Sequence, residues 1–394
     1  MQDRKLNLGV VGVGGRGKEN LGGAFTENVL AICDTDDEAL ARALGRCSLG
    51  TRGFSDYRRM LEELHKQLDA VLINTPDHTH HPIAMLAMEY GLHVYCEKPL
   101  AHSVRQVREM TQKAAEKNLI TSMGNQMHTC LNYRRTVEIV QSGLLGEIQE
   151  VHVWCGKGWG GNTVRPDRED PCPASVHWEE WLGPAPKRPY AAQLYHPSNW
   201  RRWWDFGSGT LGDMGCHFMD LVFWALDLKA PLTVEAEGPA LEDQTEMAPL
   251  GLKVTYEFAY RGRTLQVFWY DGDIQPAILE KWGLTKWPGG VFFVGTEGAI
   301  QADYTKRTLA PKEKFVNFQE PAPWIPESKG HFADFFDAIR TGTLPPCHFG
   351  YTGPLTETVL LGAAAYRSGS KIIWDAEKLQ AVGNKKAQEF IDAD

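Results

Sequence analysis

Short apolar runs alternate with helix-period segments through the first 125 residues. Runs at 8–13, 29–33, 70–74 and 93–96 read as strands. Between them, residues 36–44, 57–64 and 82–90 space their apolar positions near the helical period. Strands and helices alternating at this pitch predict a parallel, doubly wound sheet. Past about residue 125 the pattern changes. Residues 129–142 read as a helix ended by Gly143, and strand-like runs follow at 149–155, 252–260, 264–270, 290–295 and 299–302. Few helical stretches separate the last four, so an antiparallel sheet is expected, with Arg261-Gly262 as a hairpin turn. A helix is expected at 211–226, and another at 354–367 that packs back on the first domain. The Pro- and Gly-rich stretch 159–199 reads as a long loop wrapping the substrate face. The chain thus divides into domains at 1–125 and 126–394.

Composition agrees with this division. At 394 residues and 43% hydrophobic content the chain is long enough for about two to three domains and a large core. A formal charge of −9 speaks against nucleic-acid or acidic-membrane partners, whose phosphates require a Lys/Arg excess. No apolar run approaches the length of a membrane span, and the first residues lack the apolar core of an export signal. A cytoplasmic protein is expected, unless such a signal has been removed. The eight cysteines form no C-x-x-C pair and read as reduced thiols. One bias separates the halves: all 13 Trp lie at or beyond Trp154.

The first predicted turn reads Gly12-Val-Gly14-Gly15-Arg16-Gly17, a G-x-G-x-x-G between a strand and a helix. Gly12 permits the tight turn, Gly14 lets a pyrophosphate approach the backbone, and Gly17 lets helix and strand pack closely. The phosphates then face a helix N-terminus. Asp34 follows the second strand, 17 residues after Gly17, near the ~20-residue spacing of a carboxylate that accepts from ribose hydroxyls. Thr35, Asp36 and Asp37 come next, with no basic residue, so NAD is favoured over NADP. Thr75-Pro76-Asp77-His78-Thr79-His80 and Glu97-Lys98-Pro99 each end a predicted strand, where open α/β sheets bind ligands. His78, His80 and His81 are spaced too closely to converge on one ion, so no metal is expected.

Further segments are Gly207-Ser-Gly209-Thr-Leu-Gly-Asp213-Met-Gly215-Cys-His217-Phe-Met-Asp220, His331-Phe-x-Asp334-Phe-x-x-Ala-Ile-Arg340-x-Gly342 and Thr356-Glu357. Together with the three above, they resemble the glucose-fructose oxidoreductase, inositol dehydrogenase and rhizopine-catabolism (Gfo/Idh/MocA) family over nearly the whole chain. The resemblance implies an α/β fold class. An N-terminal Rossmann doubly wound parallel sheet would be followed by an α/β domain with a large, mostly antiparallel open sheet. That sheet often mediates dimers or tetramers in the family. The implied activity is NAD(P)-dependent oxidation or reduction of a sugar or cyclitol. Cofactor contacts are then expected from Gly12, Gly14, Gly15, Arg16, Gly17, Asp34, Thr75, Pro76, His80, Glu97, Lys98 and Asn125.

Asp213 and His217, four residues apart, share a face if their segment is helical. By spacing alone, a helix cap and a satisfied core histidine are the plainer readings. The family match turns the reading to catalysis by Lys98, Asp213 and His217 on a secondary alcohol. His217 takes the hydroxyl proton, Asp213 orients it or holds a neighbouring hydroxyl, and Lys98 stabilises alkoxide charge. Further substrate contacts are expected from Gln126, His128, Lys157, Trp159, Trp200, Arg201, Arg202 and Trp203. Flat aromatic faces take the C–H face of a sugar while cations hold its hydroxyls, although the same aromatics suit a packed core. His331 lies beside the site or simply packs. The leading expectation is a homo-oligomeric, NAD-dependent dehydrogenase of a carbohydrate or cyclitol. The alternative is an NAD-dependent glycosidase that oxidises a sugar transiently, eliminates the aglycone and re-reduces the product. A sensor that only binds NAD and sugar is a third reading, which intact Lys98, Asp213 and His217 disfavour.

Overall fold

The computed structural model describes residues 4–241 and 246–393. Six strands open the chain: β1 (Asn7–Val11), β2 (Asn28–Cys33), β3 (Arg52–Phe54), β4 (Ala70–Ile73), β5 (His93–Glu97) and β6 (Thr121–Gly124). Five helices connect them: α1 (Gly15–Ala24), α2 (Asp37–Leu44), α3 (Tyr57–Leu64), α4 (Asp77–Glu89) and α5 (Val104–Glu116). The strands are all parallel, in the order β3-β2-β1-β4-β5-β6. With helices on both faces, the central strands are covered on both sides, which is why β4 is four consecutive buried apolar residues. Polar side chains start the helices. Asp36, Asp56 and Ser103 accept the backbone N–H of Glu38, Arg58 and Gln106. The strand order reverses between β1 and β4, so a crevice opens at their C-terminal ends.

The second half contains α6 (Leu131–Gln141), β7 (Ile148–Cys155), α7 (Trp178–Leu182) and α8 (Gly209–Leu226), then β8 (Pro231–Glu237), β9 (Lys253–Tyr260), β10 (Arg263–Asp271), α9 (Ile278–Lys281), β11 (Gly289–Gly295), β12 (Ala299–Ala302) and β13 (Arg307–Ala310). It ends with α10 (His331–Thr341), α11 (Phe349–Ser368), β14 (Ile372–Asp375), β15 (Gln380–Ala381) and α12 (Lys385–Ile391). Nine strands form one open sheet, ordered β13-β12-β11-β7-β10-β9-β8-β14-β15. Only the β7–β10 pair is parallel. The α/β architecture expected from the sequence, a Rossmann sheet followed by a mostly antiparallel sheet, is the one observed. β9 and β10 meet at Arg261-Gly262, with φ of +48° and +78°, a two-residue turn that matches the twist of its strands.

α8 is apolar on nearly every side because it is enclosed by α6, α11 and the sheet. Two late helices return to the first sheet. Phe335 and Phe336 of α10 pack with Leu8, Val10 and Tyr95, and Arg340 pairs with Glu27. On α11, Glu357 takes Arg108 of α5 in a two-pronged pair at 2.7 and 2.8 Å. The stretch 159–199 is less loop-like than its composition suggests. Trp178, Trp181, Tyr195, Trp200, Trp203, Phe206 and Met247 give it a small core of their own. It also crosses to the nucleotide half, where Asp37 N–H donates to Ser175 O and His177 N–H to Thr35 O. Among the described residues no helix is long and apolar enough to cross a membrane.

Candidate active site

A cleft of about 680 Å³ takes its lining from both halves. Its nucleotide end is shaped by backbone. Gly12 sits at φ +80°, where a Cβ would meet the Asn74 carbonyl carbon at 2.8 Å. A Cβ on Gly17 would fall 2.1 Å from the Gly12 carbonyl oxygen, so α1 can approach β1 only with glycine there. Gly14 is different: its Cβ direction meets nothing nearer than Asp34 Oδ2 at 3.8 Å. The cradle that results, at the start of α1, fits a pyrophosphate. Gly12, Gly14, Gly15 and Arg16 line it, and Gly17 lies behind it.

Asp34 lines the same end just after β2. Its Oδ2 accepts from the N–H of Val13 (2.8 Å) and Gly14 (3.1 Å), and its Oδ1 from Asp36 N–H (3.0 Å). Burial raises its pKa, and the three amides oppose the rise. The carboxylate thus braces the glycine loop while standing where a ribose would lie. Thr75 and Pro76 also line the cleft, and Thr75 Oγ1 is buried with no partner among the described residues.

Chemistry-bearing side chains meet where β5 ends against α8. Lys98 Nζ donates to Asp213 Oδ1 at 2.8 Å and to the Asp213 carbonyl at 2.5 Å. Arg201 Nε donates to the same Oδ1 at 3.1 Å. Burial alone would raise the Asp213 pKa, but Lys98 and Arg201 outweigh it and hold the carboxyl well below the usual range. His217 lies one turn along α8, with Nδ1 2.9 Å from Asn125 Oδ1. With Nδ1 donating, Nε2 of the neutral ring is an acceptor. Burial first, then Lys98, pulls the His217 pKa down to about 3, against the opposing pull of Asp213. This corner combines a cation, an ionised carboxylate and a neutral imidazole around one cleft.

Gln126, Lys157, Trp159, Trp200 and Arg201 line the cleft as well. Arg201 lies over the rings of Trp200 (4.3 Å) and Trp159 (5.4 Å). Glu97 lines the cleft but is turned to internal partners. It accepts from Asn20 (2.7 Å), Gln126 (2.8 Å) and Tyr95 (3.1 Å).

Besides Gly17, five expected contacts do not line the cleft. His80 is buried behind the cleft, its ring nitrogens each 2.8 Å from the carbonyls of Pro99 and Thr75, where it ties two site loops together. Asn125 reaches the site only through His217. His128 is a core residue, 3.0 Å from Asp220 and stacked on Trp224 at 3.9 Å. Trp203 packs in the aromatic cluster and donates to Leu194 O. Arg202 sits over Trp159 at 5.7 Å without lining the cleft. His331 is a layer further out, 2.6 Å from the Tyr95 hydroxyl. The closely spaced histidines have separate partners: His78 meets Trp181 O, and His81 meets Glu109.

Among the lining residues that escaped sequence reasoning, two stand next to the chemistry. Asp77, the first residue of α4, is buried in the cleft wall, and burial pushes its pKa up to about 8 against Lys98 and Arg201. Its signal was available, since it sits inside the Thr75–His80 segment. Tyr304 comes from the turn between β12 and β13, and no motif marks it.

The family described as an oxidoreductase family with an NAD-binding Rossmann fold matches residues 6–125, and its C-terminal alpha/beta domain matches residues 130–394. Inositol 2-dehydrogenase of Salmonella typhimurium is 26% identical over 40% of this chain and 47% of its own length. The 2,7-anhydro-N-acetylneuraminate hydratase of Mediterraneibacter gnavus is 27% identical over 76% of this chain and 68% of its own. The chain spans about two fifths to a half of the length of several curated relatives it matches. Among solved structures, the WlbA dehydrogenase of Bordetella pertussis, in complex with NADH and UDP-GlcNAcA, shares the fold. Its TM-score is 0.66 and its identity 19%, over 94% of this chain and 99% of the other.

Proposed function

The chain belongs to the Gfo/Idh/MocA oxidoreductase family, with an NAD-binding Rossmann domain, and from that premise we propose that it oxidises or reduces a secondary alcohol of a sugar or cyclitol. The observation that carries this reading is the Lys98–Asp213 contact at 2.8 Å, with His217 one turn away, in the cleft that Gly14 and Asp34 line. Bound NAD would supply the hydride acceptor, held by the glycine loop, Asp34, Thr75 and Pro76.

The chain's own side chains handle the hydroxyl. Lys98 Nζ donates to its oxygen and stabilises the charge that develops as the proton leaves. Asp213 keeps the ammonium aimed into the cleft. His217 Nε2 accepts the proton. Because burial and Lys98 disfavour the imidazolium, the ring passes the proton on rather than holding it. Trp159 and Trp200 offer apolar faces to the C–H side of the ring, and Gln126, Lys157 and Arg201 hold its polar groups. Relatives named for inositol and D-glucoside oxidation support this substrate class. We further infer a homo-oligomer in a reducing, cytoplasmic setting, in keeping with eight unpaired thiols. One relative, of Akkermansia muciniphila, is named as a glycosyl hydrolase family 109 protein, but the relatives named as dehydrogenases favour net oxidation over the glycosidase alternative.

The test is to incubate purified protein with NAD and a panel of sugars, cyclitols and aryl glycosides. NADH is followed by absorbance, and products by mass. The reading predicts NADH with an equimolar keto product. Aglycone release without net NADH contradicts it.

A further inference from the structure

The substrate end of the cleft holds donors that the protein itself does not use. Asp213 Oδ1 is already shared by Lys98 and Arg201, and the Gln126 amide N–H groups are spent on Glu97 and Tyr95. In contrast, Trp159 Nε1 and Tyr304 Oη are buried with no partner among the described residues, and both residues line the cleft. A buried donor without a partner costs free energy, and an arriving ligand oxygen removes that cost. Tyr304 is also fixed in place. Its ring stacks on Phe218 at 4.7 Å and tilts against Tyr133 at 5.6 Å.

The charges point the same way. Lys98, Arg201 and Lys157 act on Asp213, and Asp77 lies within the field of Lys98 and Arg201. Three cations therefore face two carboxylates, even with Asp77 ionised. Arg16, the remaining cation acting on His217, lies 3.9 Å from Glu97. A neutral sugar would leave the excess unmatched. Arg201 spends Nε on Asp213 and Nη1 on Ser198 O, which leaves Nη2 of a planar fork for a second oxyanion.

We propose that the substrate carries a carboxylate, as in a uronate, bound by Lys157 and Arg201, with Trp159 N–H and Tyr304 O–H donating to the oxygens beside it. This rests on the dehydrogenase reading above and narrows its substrate. The carboxylate is bound, not transformed; oxidation remains at a ring hydroxyl near Lys98.

The experiment measures NAD-dependent oxidation of methyl glucuronoside and methyl galacturonoside against the methyl glycosides of the parent hexoses. Wild type, Lys157→Gln and Tyr304→Phe are compared at low salt and at about 0.5 M NaCl, where exposed charges are screened. The acids are expected to have kcat/KM at least about tenfold above their neutral parents, the size of one charge-assisted contact. Salt should shrink that ratio, a readout that needs no variant. Lys157→Gln should bring it toward unity. Tyr304→Phe should raise KM for the acids several-fold while changing kcat less. A neutral sugar oxidised as well as its acid overturns the proposal and leaves the dehydrogenase reading standing. So does a ratio that neither salt nor Lys157→Gln changes. Oxidation of neither series overturns both.

Discussion

The two ends of the cleft are built from different materials. At the nucleotide end the shape is set by backbone: Gly12 and Gly17 exclude side chains, Gly14 leaves its Cβ direction open, and one carboxylate, Asp34, braces the loop through the N–H of Val13 and Gly14. At the substrate end they are side chains delivered by distant segments. Lys98 follows β5, Lys157 and Trp159 follow β7, Trp200 and Arg201 come just after the 159–199 excursion, and Asp213 and His217 come from α8. A backbone-built site tolerates almost no change in a few positions. A side-chain-built site can be re-equipped one residue at a time. The fold can therefore keep one cofactor end while its substrate end varies.

That contrast can be broken most severely at Gly17. A Cβ placed 2.1 Å from the Gly12 carbonyl cannot be accommodated by moving a flexible side chain. Gly17→Ala should abolish detectable NAD binding, measured by fluorescence titration, and lower the melting temperature. Near-normal affinity would show that the loop is more pliable than its geometry implies.

Next in size is the opposite end. Lys98→Ala should cut turnover by roughly 100-fold or more, the scale of an electrostatic or acid–base group, with NAD affinity little changed. A parallel loss of both would mean that the two ends are one unit.

A smaller effect separates two neighbouring tryptophans. Trp203 is a packed core residue, so Trp203→Ala should cost about 3–5 kcal/mol of stability, read by chemical denaturation. Trp200 belongs to the same cluster but also lines the cleft, so Trp200→Ala should, besides losing stability, raise substrate KM about tenfold, as for one well-packed aromatic contact. Exchange of these two outcomes would move the substrate wall.

The smallest expected effect is of pH. In the proposed role His217 works as a base only while neutral, and its pKa is pulled down to about 3. Protonation therefore disables it only as pH approaches that value, and kcat/KM should show no histidine ionisation between pH 5 and 7. A limb near 6.5 would mean that the bound cofactor restores an ordinary imidazole.

The same division explains what was legible in the sequence. The Rossmann half was readable because its strands are doubly covered apolar runs and its ligand contacts are glycines at fixed spacing. Lys98, Asp213 and His217 were readable only through the family's motifs; D-x-x-x-H spacing by itself suits a core as well. His128 and Trp203 show the limit. A histidine stacked on Trp224 and a tryptophan in an aromatic cluster carry the same letters as cleft residues, and only packing distinguishes them. Tyr304 was invisible, since it reaches the site from a hairpin turn more than 80 residues after α8 began. The 159–199 stretch looked structureless because its small aromatic core has no periodicity, yet it closes over both ends of the cleft.

The most direct test follows the hydride. A substrate found by the sugar panel is deuterated at the carbinol carbon, and the NADH formed is examined by NMR for deuterium at C4 of the nicotinamide. The account predicts stoichiometric transfer by the wild type and a rate lower by roughly 100-fold or more in Lys98→Ala, with NAD still bound. NADH without label, or transfer undiminished in Lys98→Ala, would contradict it.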